Sequence, residues 1–131
     1  MLVDREGRSD ALRPAKHRID RMRLHALDVW VRRAAPLTDL GRLKEILYAG
    51  ADAGGATVVG EEFYVFPNGA VTGVLVLAQS HLSIHTWPEL LLANVDLLSY
   101  GELEGELVLR AICAELDVEH ANVVCIPRAV G

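Results

Sequence analysis

Residues 71–87, VTGVLVLAQSHLSIHTW, decide the fold because they contain two β-strand patterns joined by a short polar segment. Both halves, 71–78 and 80–87, are rich in β-branched residues and alternate in character, which is typical of strands. Ser80 stands at the junction, and His85 follows five residues later. The stretch therefore predicts two adjacent strands with a hydroxyl where they meet.

The flanking sequence extends this pattern into a layered fold. Asn68-Gly69 favours a hairpin turn with positive φ, and Thr38 or Asp39 offers a helix N-cap. The predicted strands are 24–31, 56–66, 71–78, 80–87, 93–99 and 120–126, and the predicted helices are 39–53 and 102–116. Grouped strands between two helices predict an α+β two-layer sandwich, with a largely antiparallel sheet and the helices on one face. Its other face is then apolar and exposed unless a second copy covers it, which favours a homodimer.

Composition excludes several classes of protein. With 131 residues, 51% of them apolar and 24% charged, the chain has the size of one compact domain. It has no apolar run near the ~18 residues that cross a bilayer, and its N-terminus does not resemble a signal sequence. We therefore expect a cytoplasmic protein that does not enter a membrane.

Charge is distributed unevenly. The first 22 residues hold six Lys and Arg against four acidic residues, and we expect a flexible charged tail there, with the domain at 23–131. The remainder has 7 basic and 14 acidic residues, a net charge of −7. Such an acidic body argues against nucleic acid as the main partner and suits a cationic substrate.

Neither the cysteines nor the histidines predict a metal site. Cys113 and Cys125 lie on different predicted elements without C-x-x-C spacing, so we expect buried free thiols. His81 and His85 have H-x-x-x-H spacing, but four residues of a strand span about 13 Å, too far for one ion.

The residues alone leave the role of Ser80 open. It is not in a G-x-S-x-G motif, so the usual hydrolase nucleophile geometry is absent. Ser80, Ser83, His85 and Thr86 are equally compatible with half-buried strand residues that hydrogen-bond one another.

A resemblance separates these interpretations. Residues 63–89, FYVFPNGAVTGVLVLAQSHLSIHTWPE, resemble the core signature of the bacterial and archaeal S-adenosylmethionine decarboxylase proenzymes. In that family a small-G-V-S-G strand leads into E-S-H-[IL]-[ST]-I-H-T-[WY]-P-E. Looser similarity extends over about residues 24–125.

The resemblance implies that the chain processes itself. Ser80 would attack the carbonyl of Gln79, and elimination and hydrolysis would leave a covalent pyruvoyl group at the start of residues 80–131. That group forms a Schiff base with the substrate amine and accepts electrons as CO2 leaves, so no separate coenzyme or metal is needed. His85 corresponds to the processing base and Thr72 to a processing hydroxyl, and this chemistry favours a strained joint.

The resemblance also implies residues that bind the substrate. Phe66 corresponds to an aromatic residue that stacks on adenine, Glu89 to a carboxylate that binds ribose hydroxyls, and Asp28 to an acidic residue near the amino-acid end. The expected activity is decarboxylation of S-adenosylmethionine for polyamine (spermidine) synthesis.

Three residues depart from the family pattern. Gln79 replaces Glu with little expected effect, and Thr72 replaces Ser but keeps the hydroxyl. Tyr100, in VDLLSYGE, stands at the position of the family's proton-donating cysteine. Its phenol, with an unperturbed pKa of about 10 against about 8.5 for a thiol, is a weaker acid. Its longer side chain keeps two alternatives open: a pyruvoyl-dependent arginine or ornithine decarboxylase, and a non-catalytic homologue.

Overall fold

Within residues 22–129, six β-strands form one antiparallel sheet and two α-helices pack on one of its faces. The structure is a computed structural model, and it describes those residues of the chain. The elements are β1 (Arg23–Val31), α1 (Leu40–Ala53), β2 (Val58–Val65), β3 (Val71–Leu77), β4 (His81–Trp87), β5 (Leu92–Ser99), α2 (Gly105–Glu115) and β6 (Val118–Pro127), with 3-10 turns at Ala35–Thr38 and Pro88–Leu90. The predicted element order and α+β class are confirmed. The charged segment predicted for residues 1–22 lies, except for its last residue, outside the described part.

The strands lie in the order β2-β3-β4-β5-β1-β6, and each neighbouring pair is antiparallel. The two strands of the opening stretch are direct neighbours, with Leu75 opposite Leu82. Strand β4 then pairs with β5, which places Ile84 opposite Val95. Strands β3 and β4 are therefore interior strands, and β2 and β6 form the two edges.

The core lies between the helices and the sheet because the strands alternate. On β4, Leu82, Ile84 and Thr86 are buried, while the residues between them are partly or fully exposed. The matching face of β1 carries Leu27 and Val29. The four aliphatic residues among these form one apolar cluster with the buried side of the helices, and a one-residue slip of either strand would exchange its faces.

Helix α1 follows its sequence signals closely, whereas α2 begins at Gly105 rather than at the predicted residue 102. The carboxylate of Asp39 accepts a hydrogen bond from the Arg42 amide at 3.1 Å, so α1 begins with an N-cap. Gly50 lies against α2, where a Cβ would come within 2.8 Å of Ile112 Cγ1. The absence of a side chain at Gly50 therefore allows the two helices to approach closely.

Three local expectations need correction. Cys125 is exposed rather than buried because β6 is an edge strand, whereas Cys113 is half-buried on α2. Only Gly69 has a positive φ in its turn (91°), since the Asn68 side chain instead accepts a hydrogen bond from the Ala70 amide. Ser80 precedes β4 rather than starting it.

The second face of the sheet, here called the open face, carries no helix among the described residues. On β1, β3, β4 and β5 it consists of Leu24, Ala26, Asp28, Trp30, Thr72, Val74, Val76, His81, Ser83, His85, Trp87, Leu92, Asn94, Asp96 and Leu98. Several of its apolar side chains are uncovered: Trp30 is 36%, Val76 48% and Trp87 38% exposed.

As for membrane insertion, neither helix in residues 22–129 has the length and apolar character to span a bilayer.

Thr86 provides a test of the packing. Its buried hydroxyl donates to the Leu37 carbonyl and accepts from the Val71 amide, both at 2.8 Å. Thr86→Val leaves both backbone groups buried without a partner, at a cost of about 2–4 kcal/mol. We expect the melting temperature to fall by about 10 °C or more, measured by circular dichroism at one protein concentration.

The exposed Thr57 supplies the matched control, because its hydroxyl is on the surface. Thr57→Val should change the melting temperature by no more than about 3 °C. Equal melting temperatures for the Thr86 and Thr57 variants would contradict the assigned role of the Thr86 hydroxyl.

Candidate active site

A hydrogen-bonded pair of side chains occupies the open face. Thr72 on β3 lies directly opposite His85 on β4, and Thr72 Oγ1 is 2.6 Å from His85 Nδ1. Both side chains are partly exposed. The pair therefore combines a hydroxyl with an imidazole, two side chains that can both donate and accept a proton.

Two aromatic rings contact this imidazole, and a third packs against one of them. Phe66 meets the His85 ring edge-on at 5.6 Å between ring centroids, and Trp87 does so at 4.3 Å. Tyr64 packs against Phe66 at 4.9 Å. Phe66 and Trp87 remain 37% and 38% exposed, so both rings keep surface available to a flat ligand.

A chain of hydrogen bonds connects this aromatic cluster with Asp28. The Trp87 indole N–H donates to Asn94 Oδ1 at 2.6 Å, and Asn94 Nδ2 donates to Asp28 Oδ1 at 2.8 Å. Asn94 lies opposite both His85 and Asp28 in the sheet register. The structure thus places two hydrogen-bonded groups side by side across four strands, the Thr72–His85 pair and the Trp87–Asn94–Asp28 chain, and the ring contact between His85 and Trp87 joins them.

Sequence reasoning missed Trp87 and Asn94. Their signal was available, because Trp87 shares the odd-numbered face of β4 with His85, and Asn94 interrupts the mainly apolar strand β5. What the sequence lacked was the pairing of β5 with both β4 and β1, which places Asn94 between the two partners.

Ser80 lies in a two-residue hairpin turn. The Leu77 amide donates to the Ser80 carbonyl at 2.8 Å, and the Ser80 amide donates to the Leu77 carbonyl at 3.1 Å. Ala78 and Gln79 form the tip, and the Gln79 side chain accepts from the Thr57 amide at 3.4 Å. The Gln79–Ser80 peptide is therefore in a tight joint, although no residue of this turn adopts a left-handed φ and the strain expected there is not seen.

The turn is far from His85 within one chain. Strand β4 is extended and pairs residue for residue with β5 from His81 to Trp87. At about 3.3 Å per residue, the five steps from Ser80 to His85 span about 16 Å, whereas a hydrogen bond spans about 3 Å. Ser80, the predicted nucleophile, directly precedes β4, and His85, the predicted base, lies on β4, but the two side chains are out of contact.

Tyr100 lies at the same end of the sheet as Ser80. It directly follows β5, whose residue Leu98 pairs with His81 at the start of β4. Tyr100 is partly exposed. Gln79, Ser80 and Tyr100 therefore form a second group, separate from the Thr72–His85 network.

The remaining candidates lie elsewhere. Glu89 is exposed in the 3-10 turn that follows Trp87, close in sequence to the aromatic cluster. Burial raises the pKa of the Cys113 thiol, which keeps it protonated. Cys125 pairs with His25 and so shares the helix side of the sheet, away from the open face. Residues 22–129 contain no group of three or more His, Cys, Asp or Glu side chains arranged to hold a metal ion.

The family model and the named relatives that match this chain all carry the same description. The family model described as S-adenosylmethionine decarboxylase matches residues 23–129. Proteins named S-adenosylmethionine decarboxylase proenzyme include one from Symbiobacterium thermophilum, 54% identical over 65 residues, or 50% of this chain and 49% of the relative. One from Methanococcus maripaludis is 35% identical over 105 residues, 79% of this chain and 86% of the relative. The alignment thus spans about half the length of the Symbiobacterium relative and most of the archaeal one.

A solved structure shares the fold. The crystal structure of the adenosylmethionine decarboxylase from Aquifex aeolicus superimposes with a TM-score of 0.76 at 28% identity. The match covers 86% of this chain and 94% of that one.

Proposed function

Because the chain belongs to the S-adenosylmethionine decarboxylase family, we propose that it is a self-processing decarboxylase of S-adenosylmethionine. One observation carries the proposal: two backbone hydrogen bonds hold the Gln79–Ser80 peptide in a hairpin turn, and Ser80 supplies the hydroxyl that directly follows the Gln79 carbonyl in the chain. The decarboxylated product would serve polyamine synthesis in the cytoplasm.

Maturation begins with attack of Ser80 Oγ on the carbonyl carbon of Gln79. The acyl group moves from the Ser80 nitrogen to its oxygen, which exchanges the peptide bond for an ester. A base then removes the Cα proton of Ser80, the Gln79 carboxylate leaves, and hydrolysis of the resulting dehydroalanine releases ammonia. Residues 80–131 then begin with a pyruvoyl group.

The residues present fit such a group. Ser80 is only half-buried, so its backbone is accessible to water and to a substrate. When formed, the pyruvoyl group supplies an electrophilic carbonyl that accepts electrons as CO2 leaves. The chain itself has to supply a base, a hydroxyl for processing, and a proton donor.

The base must come from a second copy of the chain. Within one chain His85 is about 16 Å from Ser80 along the strand, so it does not reach the Ser80 Cα proton. Two open faces packed about a two-fold axis bury the uncovered apolar side chains and allow the Thr72–His85 pair of each copy to approach the Ser80 of the other. This distance supports a homodimer in which each active site uses both chains.

The network around His85 suits S-adenosylmethionine as the substrate. The exposed surfaces of Phe66 and Trp87 offer flat apolar area for adenine, and Glu89 lies in the adjoining turn for the ribose hydroxyls. The Asp28 carboxylate, oriented by Asn94, favours a cationic group. The acidic body of the chain also favours a cationic substrate over an anionic one.

A second candidate rests on Tyr100. This residue occupies the position of the proton donor, and its ring extends farther from the backbone than a cysteine side chain does. A pocket narrowed in this way favours arginine or ornithine, which are cationic amino acids without an adenosyl group.

Self-processing is the first prediction. Purified protein should separate on a denaturing gel into residues 1–79 and 80–131, and intact mass should show a ketone in place of the amino group on the second fragment. Ser80→Ala should remain one chain. Ser83→Ala, which removes a nearby hydroxyl on β4, is the control and should process normally. A wild-type protein that stays uncut at its full mass would instead support the non-catalytic homologue.

The shared site gives a second prediction. His85→Ala alone should process at least about 100-fold more slowly, because removing a general base costs about that much. Co-expression with Ser80→Ala, which still carries His85, should restore cleavage of about half of the His85→Ala chains, the fraction expected in mixed dimers with random pairing.

The matched control is co-expression with the double variant Ser80→Ala/His85→Ala, which offers no base and should restore nothing. Failure of the Ser80→Ala chain to rescue cleavage would contradict a base supplied across the interface.

Tyr100 gives a third prediction. Tyr100→Phe should leave cleavage intact but lower CO2 release from S-adenosylmethionine about 100-fold or more, because the ring keeps its shape and loses its acid. Tyr100→Cys should retain turnover. Release of labelled CO2 from S-adenosylmethionine, arginine and ornithine checks both points; turnover of arginine or ornithine alone would favour the second candidate, and an unchanged Tyr100→Phe would exclude the phenol as donor.

A further inference from the structure

A buried imidazole lies beneath the segment that begins with Tyr100. His25 on β1 is only 6% exposed and faces the helix side of the sheet, opposite to the open face. Its Nε2 is 3.1 Å from the hydroxyl oxygen of Ser99, which is also buried. Ser99 is the last residue of β5 and the immediate neighbour of Tyr100.

A third group, the Arg23 carbonyl, also faces the Ser99 hydroxyl. Ser99 Oγ donates to the Arg23 carbonyl at 3.4 Å, so its lone pair is available to accept from His25 Nε2–H. Burial lowers the pKa of His25; Glu106 opposes this effect and Arg23 adds to it. A neutral imidazole with its proton on Nε2 completes this set of bonds.

The same ring also contacts the far end of the segment. Residues 100–104 connect β5 with α2, and α2 begins at Gly105. A Cβ on Gly105 would come 2.5 Å from His25 Nε2, so only glycine fits against the ring. His25 therefore touches the residue before this connection and the residue after it.

The contact lies beside an open pocket. A cavity of about 430 Å³ borders it, lined by His25, Ser99, Gly101 and Gly105 among others. Farther along, the buried Leu103 and a hydrogen bond from the Glu104 amide to the Gly54 carbonyl hold the connection. At its Tyr100 end the His25–Ser99 hydrogen bond supplies a directional constraint that apolar contacts do not.

We propose that His25 is a positioning residue for Tyr100: its hydrogen bond to Ser99 sets the direction in which β5 ends and therefore the placement of the phenol. The catalytic part of this inference rests on the proposed function, whereas the structural part does not. No signature motif of the chain contains His25, so only the fold relates it to the site.

The test combines a structural and a kinetic measurement. Protein labelled with 3-fluorotyrosine has three tyrosine signals in a ¹⁹F spectrum, since the chain contains three tyrosines, and Tyr100→Phe identifies one of them. Ser99→Ala and His25→Leu should shift or broaden the Tyr100 signal and leave those of Tyr48 and Tyr64 in place. Ser99→Thr keeps the hydroxyl and should preserve the parent spectrum.

The kinetic measurement uses the same variants. Cleavage at residues 79–80 should remain complete, kcat should fall about tenfold and KM should stay within about twofold, because one hydrogen bond that positions a proton donor is lost. The double variant His25→Leu/Ser99→Ala should be no slower than the slower single variant, since both changes break the same bond. Ile112→Val, a core change on α2 that leaves His25 and Ser99 intact, controls for general loss of stability.

Several outcomes would overturn the inference. Ser99→Ala removes one oxygen atom and is the decisive variant, so an unmoved Tyr100 signal in that protein refutes positioning even if His25→Leu fails to fold. A Ser99→Thr variant that behaves like Ser99→Ala, or an equal loss of kcat in Ile112→Val, refutes it as well. A wild-type chain that neither processes nor releases CO2 refutes the proposed function instead, and the fluorine spectra then still decide whether His25 positions Tyr100.

Discussion

The register of β4 between β3 and β5 is the constraint on which the rest of the structure depends. It directs Leu82, Ile84 and Thr86 into the core and their odd-numbered neighbours to the open face. A slip by one residue would bury His85 among aliphatic side chains and expose the core of the strand. The apolar cost of that exchange, about 25 cal/mol for each Å² exposed, is what keeps the imidazole beside Thr72. The chemistry of the open face therefore depends on hydrophobic burial on the opposite face.

The same extended strand that presents His85 also separates it from Ser80. An unbroken β4 cannot fold back on itself, so Ser80 and His85, the proposed nucleophile and base, are neighbours in sequence but lie in two different groups in space. The uncovered apolar side chains of the open face and the separation of Ser80 from His85 are two independent features, and the proposed homodimer would account for both. This agreement is a stronger argument for a dimer than apolar composition alone.

Much of the fold could be predicted because its signals are local. The alternation in β1, the Asp39 cap of α1 and the turn at Gly69 each depend on a few neighbouring residues. The contacts that could not be predicted join residues far apart in sequence. Asn94 meets Asp28 and His25 meets Ser99 only because β1 inserts between β5 and β6, and the exposure of Cys125 follows from the edge position of β6. The signature motif identified Ser80 and His85 as a pair, but it contains no information about the distance between them.

The length of the Tyr100 side chain and the contacts of His25 are physically related. A thiol lies close to its backbone, so a small change in backbone direction moves it little. A phenolic oxygen lies much farther out, and the same angular change displaces it by a proportionally larger distance. A proton donor on a long side chain therefore needs a more rigid attachment than a short one, and here both ends of the connection that begins with Tyr100 rest on one buried imidazole. The ring also fills space that a cysteine would leave open, so a proposed proton donor at this position would at the same time influence which substrate fits.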